Sequence, residues 1–226
     1  MTELCESVHA SFYLSTLKKT LNSAYRVNSL MIQHYIPSWN RVQRLLLIAT
    51  AFGVIIHELA HKEMVEDFGL RVRDHCYFQL NNPSGYVIHD EPRGYFPTFA
   101  ISTAPFFLNS AVTYTTFTIA GGMLTSRPIG SLSQLQVGGI IVLIWLGISS
   151  GVHAFPSSQD TKNIWNATKR RWWNPIAILG IPAIIFLLFL DKTKAIGSNY
   201  VFTAGIAYLS YRFLRFLFTS NSLGWF

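Results

Sequence analysis

The sequence predicts an all-α, polytopic membrane protein with about five transmembrane helices. Of its 226 residues, 50% are hydrophobic and only 13% are charged, and the mean hydropathy is +0.29. Soluble domains have about 25% charged residues. Long apolar runs contain no charged residue, which favours membrane spans over an apolar globular domain. The prediction also includes an amphipathic N-terminal segment and a small β-hairpin between the first and second spans.

The net charge of +7 comes from basic residues that flank the apolar runs, such as those at 169–171. Basic flanks anchor and orient transmembrane helices, and no motif of a nucleic-acid-binding fold accompanies them. We therefore expect a lipid bilayer as a partner, no nucleic acid, and an integral, multi-pass protein of the cell membrane. Two cysteines are too few to indicate a disulfide framework. The first residues include Glu3 and Glu6 and do not match a cleavable signal peptide.

Residues 1–44 are predicted to form an amphipathic segment on the membrane surface, separate from a transmembrane domain over 45–226. Apolar residues recur at nearly helical spacing between Phe12 and Tyr25, with basic residues among them. A helix with this pattern buries its apolar face at the bilayer interface. The alternative is a loosely ordered tail.

The apolar runs predict the spans one by one. The first, 45–61, is short but long enough to cross a bilayer. Between 70 and 90, two β-prone runs flank the turn-forming segment 81–85, which predicts a hairpin. The run 94–126 has prolines near its start, so the second span is expected to begin with a non-helical segment. The remaining spans are predicted at 129–159, 176–190 and 200–211.

The most informative motif is His57-Glu58-Leu59-Ala60-His61, at the end of the first predicted span. Residues i and i+4 of a helix share a face, so both imidazoles can reach one metal ion. Polar groups are costly inside an apolar helix unless something binds or pairs with them. His-Glu-x-x-His on a helix is typical of zinc hydrolases, with the glutamate as general base. The motif predicts His57 and His61 as zinc ligands; the alternative is a hydrogen-bonded pair.

A catalytic zinc usually takes three protein ligands and leaves one position for water. Most acidic residues after the motif continue the same helix away from the histidine face or belong to the hairpin region. Asp160 alone follows an apolar run that breaks at Pro156. We therefore expect Asp160 to be the third ligand. The alternative is that Asp160 caps a short helix over 161–169.

These residues resemble the site-2 protease family of intramembrane metalloproteases. Members carry His-Glu-x-x-His on one transmembrane helix and a zinc-binding aspartate near the end of a later one, which would be Asp160 here. The segment Ala104-Pro105-Phe106-Phe107-Leu108-Asn109 is similar to the family's Gly-Pro-x-x-Asn, with one extra residue before the asparagine. The surroundings of Asp160 depart from the family pattern. The resemblance covers a catalytic core of about 45–165 and includes the hairpin.

The resemblance implies an intramembrane endopeptidase that binds one Zn²⁺ per chain and hydrolyses peptide bonds of transmembrane or membrane-proximal proteins. Glu58 would be the general base and Asn109 a contact to substrate or transition state. His153 would either support the site or be an ordinary interior histidine.

Two other functions stay open from the sequence. One is a non-catalytic, metal-binding membrane adaptor of the same fold. The other resembles the prenyl-protein endopeptidases, in which a glutamate on a later helix is the third ligand. No glutamate follows Glu91 in this sequence, which argues against the second.

Overall fold

The computed structural model describes residues 41–126 and 128–222. Within them the chain is mostly helical, with one small two-stranded sheet. The elements from Leu45 onward belong to one compact unit. In chain order the helices and strands are α1 (Arg41–Ala49), α2 (Ala51–Asp67), β1 (Val72–Cys76), β2 (Tyr86–His89), α3 (Tyr95–Ser126), α4 (Gln134–Val152), α5 (Ser158–Arg170), α6 (Pro175–Thr193) and α7 (Ser198–Ser222).

The predicted amphipathic segment over 1–44 lies outside the described residues, apart from 41–44. Its separation from a transmembrane domain over 45–226 stays a prediction.

Within residues 41–126 and 128–222, two helical stretches are long and apolar enough to cross a membrane: α4, and α6 with the 3₁₀ turn that follows it, Pro175–Ile196. A third is present if α1 and α2, which meet at 64°, form one broken span. These stretches are consistent with the predicted membrane localisation. The helices α3 and α7 cover the other two predicted spans but do not meet the same criterion, so the count of five stays a prediction.

The first predicted span is broken at Thr50 instead of running straight from 45 to 61. A break frees backbone carbonyls, and in lipid each of them needs a partner within the protein. The indole Nε1–H of Trp145 donates to the Ala49 carbonyl at 2.7 Å. The Thr50 hydroxyl lies 2.8 Å from the Leu46 carbonyl and 2.9 Å from Nε2 of His153. Trp145 of α4 and the side chain of Thr50 therefore satisfy the freed carbonyls, and His153, directly after α4, contacts the Thr50 hydroxyl.

The helices α2 and α4 come into backbone contact at Gly53. Its N–H donates to Ser149 Oγ at 2.8 Å, and a Cβ added at Gly53 would overlap the Ser149 carbonyl. Because α2 carries the histidine motif and α4 leads to Asp160, this crossing determines how closely the two parts of the site approach.

The small sheet consists of β1 and β2, paired antiparallel and following α2 in the chain. A register shift lies between Val72 and Asp74. Gln79 closes the intervening loop through its N–H, 2.7 Å from the Ser84 carbonyl, and its amide nitrogen, 2.8 Å from the Pro83 carbonyl. The loop is therefore held in one shape above the motif helix. Its position between two membrane spans stays a prediction.

The expectation of a non-helical entry to the second span is wrong, because α3 is helical from Tyr95 onward. Pro97 falls in the first turn, where the missing N–H costs nothing, and Pro105 lies inside the helix. Tyr95 also joins the main apolar cluster, whose other buried members come from the α4–α5 connection, α5 and α6: Phe155, Ile164, Ala167, Ala177, Ile184, Leu187 and Leu190.

We expect Gly53→Ala to lower the free energy of unfolding by about 1–3 kcal/mol, because the added methyl group forces α2 and α4 apart. Thermal unfolding in detergent micelles measures this. Gly139→Ala in α4 is the matched control, since a Cβ there meets nothing within 4 Å and alanine favours a helix over glycine. Equal effects of the two substitutions would contradict the close crossing.

Candidate metal centre

Helix α2 presents His57 and His61 on one buried face. Each residue is only 8% exposed, and the two ring centroids lie 5.0 Å apart in an edge-on arrangement. This is the i, i+4 geometry that the sequence predicts for a shared ligand. The two imidazoles are too deeply buried to be hydrated by bulk water, so their ring nitrogens must find partners within the protein or on a bound ion.

Asp160 reaches the same place from the first turn of α5. Its Oδ2 lies 3.3 Å from Nε2 of His61 and 3.9 Å from Nε2 of His57. The ligand atoms of the three residues all lie within 4.8 Å of one another and are buried. This group could therefore hold a metal ion.

The helix cap beside the site is Ser157, so the alternative in which Asp160 is the N-cap residue is wrong. Ser157 and Asp160 form a reciprocal capping box. The Asp160 amide N–H donates to Ser157 Oγ at 3.1 Å. In return, Asp160 Oδ2 accepts from the Ser157 N–H at 2.8 Å and from its hydroxyl at 2.6 Å. These bonds fix the carboxylate in the direction of the histidines.

Both imidazoles have their other ring nitrogen occupied by a backbone carbonyl. Nδ1 of His57 lies 2.9 Å from the carbonyl oxygen of His153, and Nδ1 of His61 lies 2.9 Å from that of Ile101. A carbonyl can only accept, so each Nδ1 carries a proton. In a neutral imidazole the lone pair is then on Nε2, which is the atom that faces Asp160.

The three groups that meet here are thus two nitrogen lone pairs and a carboxylate oxygen. Acceptors do not attract one another, so this arrangement requires a cation between them or an additional proton on one imidazole. A metal ion satisfies all three at once, whereas one proton satisfies one pair. The backbone carbonyls that orient the rings are partners of the kind that accompany metal-binding histidines.

Glu58 lies next to the three candidate ligands and under the hairpin loop. Its carboxylate interacts electrostatically with His57, His61 and Asp160. A Cβ added at Gly85 would lie 2.5 Å from Glu58 Cγ and 3.0 Å from its Oε1. A side chain at position 85 would therefore require the Glu58 side chain to shift, and the loop restricts the positions that its carboxylate can take.

Asn109, the other predicted catalytic residue, lies on α3 and is completely buried. Its Nδ2 lies 3.4 Å from the His153 carbonyl, the oxygen to which His57 also donates. Among the described residues, no hydrogen-bond partner is found for its Oδ1. Asn109 is therefore adjacent to the site, with unused hydrogen-bonding capacity directed into a buried region.

Sequence reasoning missed the two carbonyls that orient the imidazoles. His153 was a candidate because of its side chain, but its backbone oxygen contacts His57, while its ring faces Thr50. Ile101 gave no signal, since every residue has a carbonyl group. Such partners become visible only when the packing of α2 against its neighbours is known.

A comparison of the chain with family models, with curated proteins and with solved structures finds no match.

Asp160→Asn should weaken metal binding about 10–100-fold or more, because a neutral amide replaces the anionic ligand. Losses of about 10–100-fold are already typical when a residue that only supports a ligand is replaced. Asparagine retains an oxygen for the Ser157 N–H, so the helix cap should largely survive. Equilibrium Zn²⁺ titration of the purified protein measures the affinity. Asp67→Asn, on the exposed end of α2, is the control and should bind as the wild type does.

Proposed function

We propose that this protein is an intramembrane zinc endopeptidase that resembles the site-2 protease family. One observation carries the proposal. Two imidazoles oriented by backbone carbonyls converge in a buried site with a carboxylate that a capping box holds in place, and a glutamate lies beside them. The chain that holds this site has helices long and apolar enough to cross a membrane. The site would therefore lie at or near the bilayer.

The ligand chemistry fits zinc. Two neutral imidazole nitrogens and one carboxylate oxygen form one of the usual catalytic sets, in which a fourth position stays open. Softer metals prefer thiolates, and Mg²⁺ or Ca²⁺ prefer sites made of oxygen alone. When bound, Zn²⁺ would make a water molecule acidic enough to serve as a nucleophile near neutral pH.

Glu58 would accept the proton from the attacking water and later donate it to the leaving amine of the cleaved peptide bond. Its position supports this role, because it is adjacent to the ligands without being one of the three that converge. A site that held a metal ion for structural reasons would need a fourth ligand and no general base.

Asn109 would contact the substrate carbonyl as negative charge develops on its oxygen. Its Nδ2 has two hydrogens, and only one of them can point at the His153 carbonyl. The remaining N–H is the donor that this role requires.

An apolar groove supports the proposal that the substrate is a membrane-embedded segment. It has a volume of about 560 Å³ and is lined by residues of α2 and α3, including Ala60, Met64, Phe99 and Phe107. Ala60 directly precedes His61, so the groove begins beside the motif. A helical substrate would have to unwind locally, because its carbonyls are engaged in i to i−4 hydrogen bonds.

The prenyl-protein endopeptidase type finds no support, since the acidic residue at the site is Asp160 and no glutamate follows Glu91. The non-catalytic adaptor is the remaining alternative. It differs from the endopeptidase in one respect that can be measured, namely whether Glu58 is needed for turnover.

Glu58→Gln should retain metal binding but lose about 10²–10⁴-fold in the rate of peptide hydrolysis, the usual contribution of a general base. Turnover of fluorogenic transmembrane peptides in lipid vesicles and Zn²⁺ titration give the two measurements. Glu66→Gln, exposed on the same helix and outside the groove lining, is the control. Cleavage at the wild-type rate by Glu58→Gln would remove this residue from the mechanism, and no cleavage by the wild type would favour the adaptor.

A further inference from the structure

The connection between α4 and α5, residues 153–157, touches both halves of the candidate metal centre. At its start, the His153 carbonyl accepts from the Nδ1–H of His57. At its end, Ser157 holds Asp160 through the capping box. Any movement of this short connection would therefore displace the histidine and the carboxylate relative to each other.

The C-terminal part of the chain holds this connection and the two residues that flank it, Val152 and Ser158, at three points. Asn199 Nδ2 donates to the Val152 carbonyl at 3.1 Å. The ammonium group of Lys194 donates to the carbonyl of Pro156, the residue before the cap. The Ser158 hydroxyl donates to Asp191 Oδ1 at 3.0 Å. None of these three partners lies in the segment 45–165 that resembles a known family.

Lys194 and Asp191 are also paired with each other. Their charged atoms lie 3.4 Å apart, and their side chains are only 32% and 11% exposed. The ammonium group has three N–H donors, so it can bridge the Asp191 carboxylate and the Pro156 carbonyl at the same time. Asp191 in turn accepts from Ser158, on the other side of the cap residue.

A shielded ion pair is weak evidence for stability, because desolvation offsets much of the attraction between the charges. Such a pair instead fixes the orientation of the groups that it contacts, since each charged group must face its partners. Here the partners flank Ser157, the residue that orients Asp160. Lys194 also interacts electrostatically with Asp160 and with His153, so the pair acts on the site through its charge as well as through the connection.

We propose that Lys194 and Asp191 are positioning residues that place the carboxylate of Asp160 against His57 and His61 and thereby determine the metal affinity. The inference rests on the metal-binding part of the proposed function and extends the site to the end of α6. It assigns to this region a role in ligand geometry and none in the chemical step.

The test uses Co²⁺ as the probe, because its visible absorption reports the number and type of ligands as well as the affinity. Lys194→Met keeps the length of the aliphatic stem but removes the ammonium group. We expect it to weaken Co²⁺ binding about 10–100-fold and to change the spectrum in the direction of that of Asp160→Ala. Lys192→Met, an exposed lysine in the last turn of α6 and two residues before Lys194, should leave both unchanged.

The effect must depend on Asp160. In the Asp160→Ala background, Lys194→Met should cause no further loss of affinity, whereas a general loss of structure would add to it. Lys194→Arg should restore part of the affinity, since a guanidinium group can also donate to a carbonyl. Should Lys194→Met fail to fold, Asp191→Asn gives the same test, because it keeps the shape and the acceptor for Ser158 while removing the charge.

The outcomes separate the two proposals. Wild-type affinity in Lys194→Met and Asp191→Asn would overturn the positioning role and leave the endopeptidase untouched. Equal losses in the presence and absence of Asp160 would also overturn it. Strong Co²⁺ binding without hydrolysis would contradict the endopeptidase alone, and a wild-type protein that binds no Co²⁺ would overturn both.

Discussion

Two hydrogen bonds from imidazole Nδ1–H groups to backbone carbonyls determine how the rest of the site is arranged. They hold His57 to the end of α4 and His61 to α3. Once both rings are fixed in this way, their Nε2 atoms face the same buried space. Asp160 brings a third acceptor into this space. Three acceptors at such close range need a cation between them, which is why this arrangement is suited to a metal ion.

The ends and breaks of helices supply most of the polar groups that assemble this site. The last carbonyls of a helix have no intrahelical partner. Where α4 ends, the carbonyls of Val152 and His153 are taken by Asn199 and by His57 and Asn109. At the break before α2, the Ala49 carbonyl is taken by Trp145. Free backbone carbonyls must find such partners within lipid. The hydrogen bonds that satisfy the end of α4 therefore also position His57 and Asn109.

Asp160 serves in two ways that do not exclude each other. One carboxylate oxygen, Oδ2, both accepts from Ser157 and faces the histidines, since a carboxylate oxygen has more than one lone-pair site. Its place in the first turn of α5 also puts the anion at the positive end of the helix dipole. The capping alternative considered from the sequence therefore identified a real part of the local structure, although Ser157 is the residue that caps the helix.

The sequence alone determined the features that depend on neighbours in the chain. The i, i+4 spacing places His57 and His61 on one face, and the break at Pro156 pointed to Asp160. The apolar runs 129–159 and 176–190 predicted spans where the structure has helices of membrane-spanning length and composition. Only the tertiary structure decided which carbonyls orient the rings, that Gly85 lies over Glu58, and that Lys194 and Asp191 hold the connection before α5. These contacts join residues far apart in the chain through groups that every residue has, and packing alone selects them.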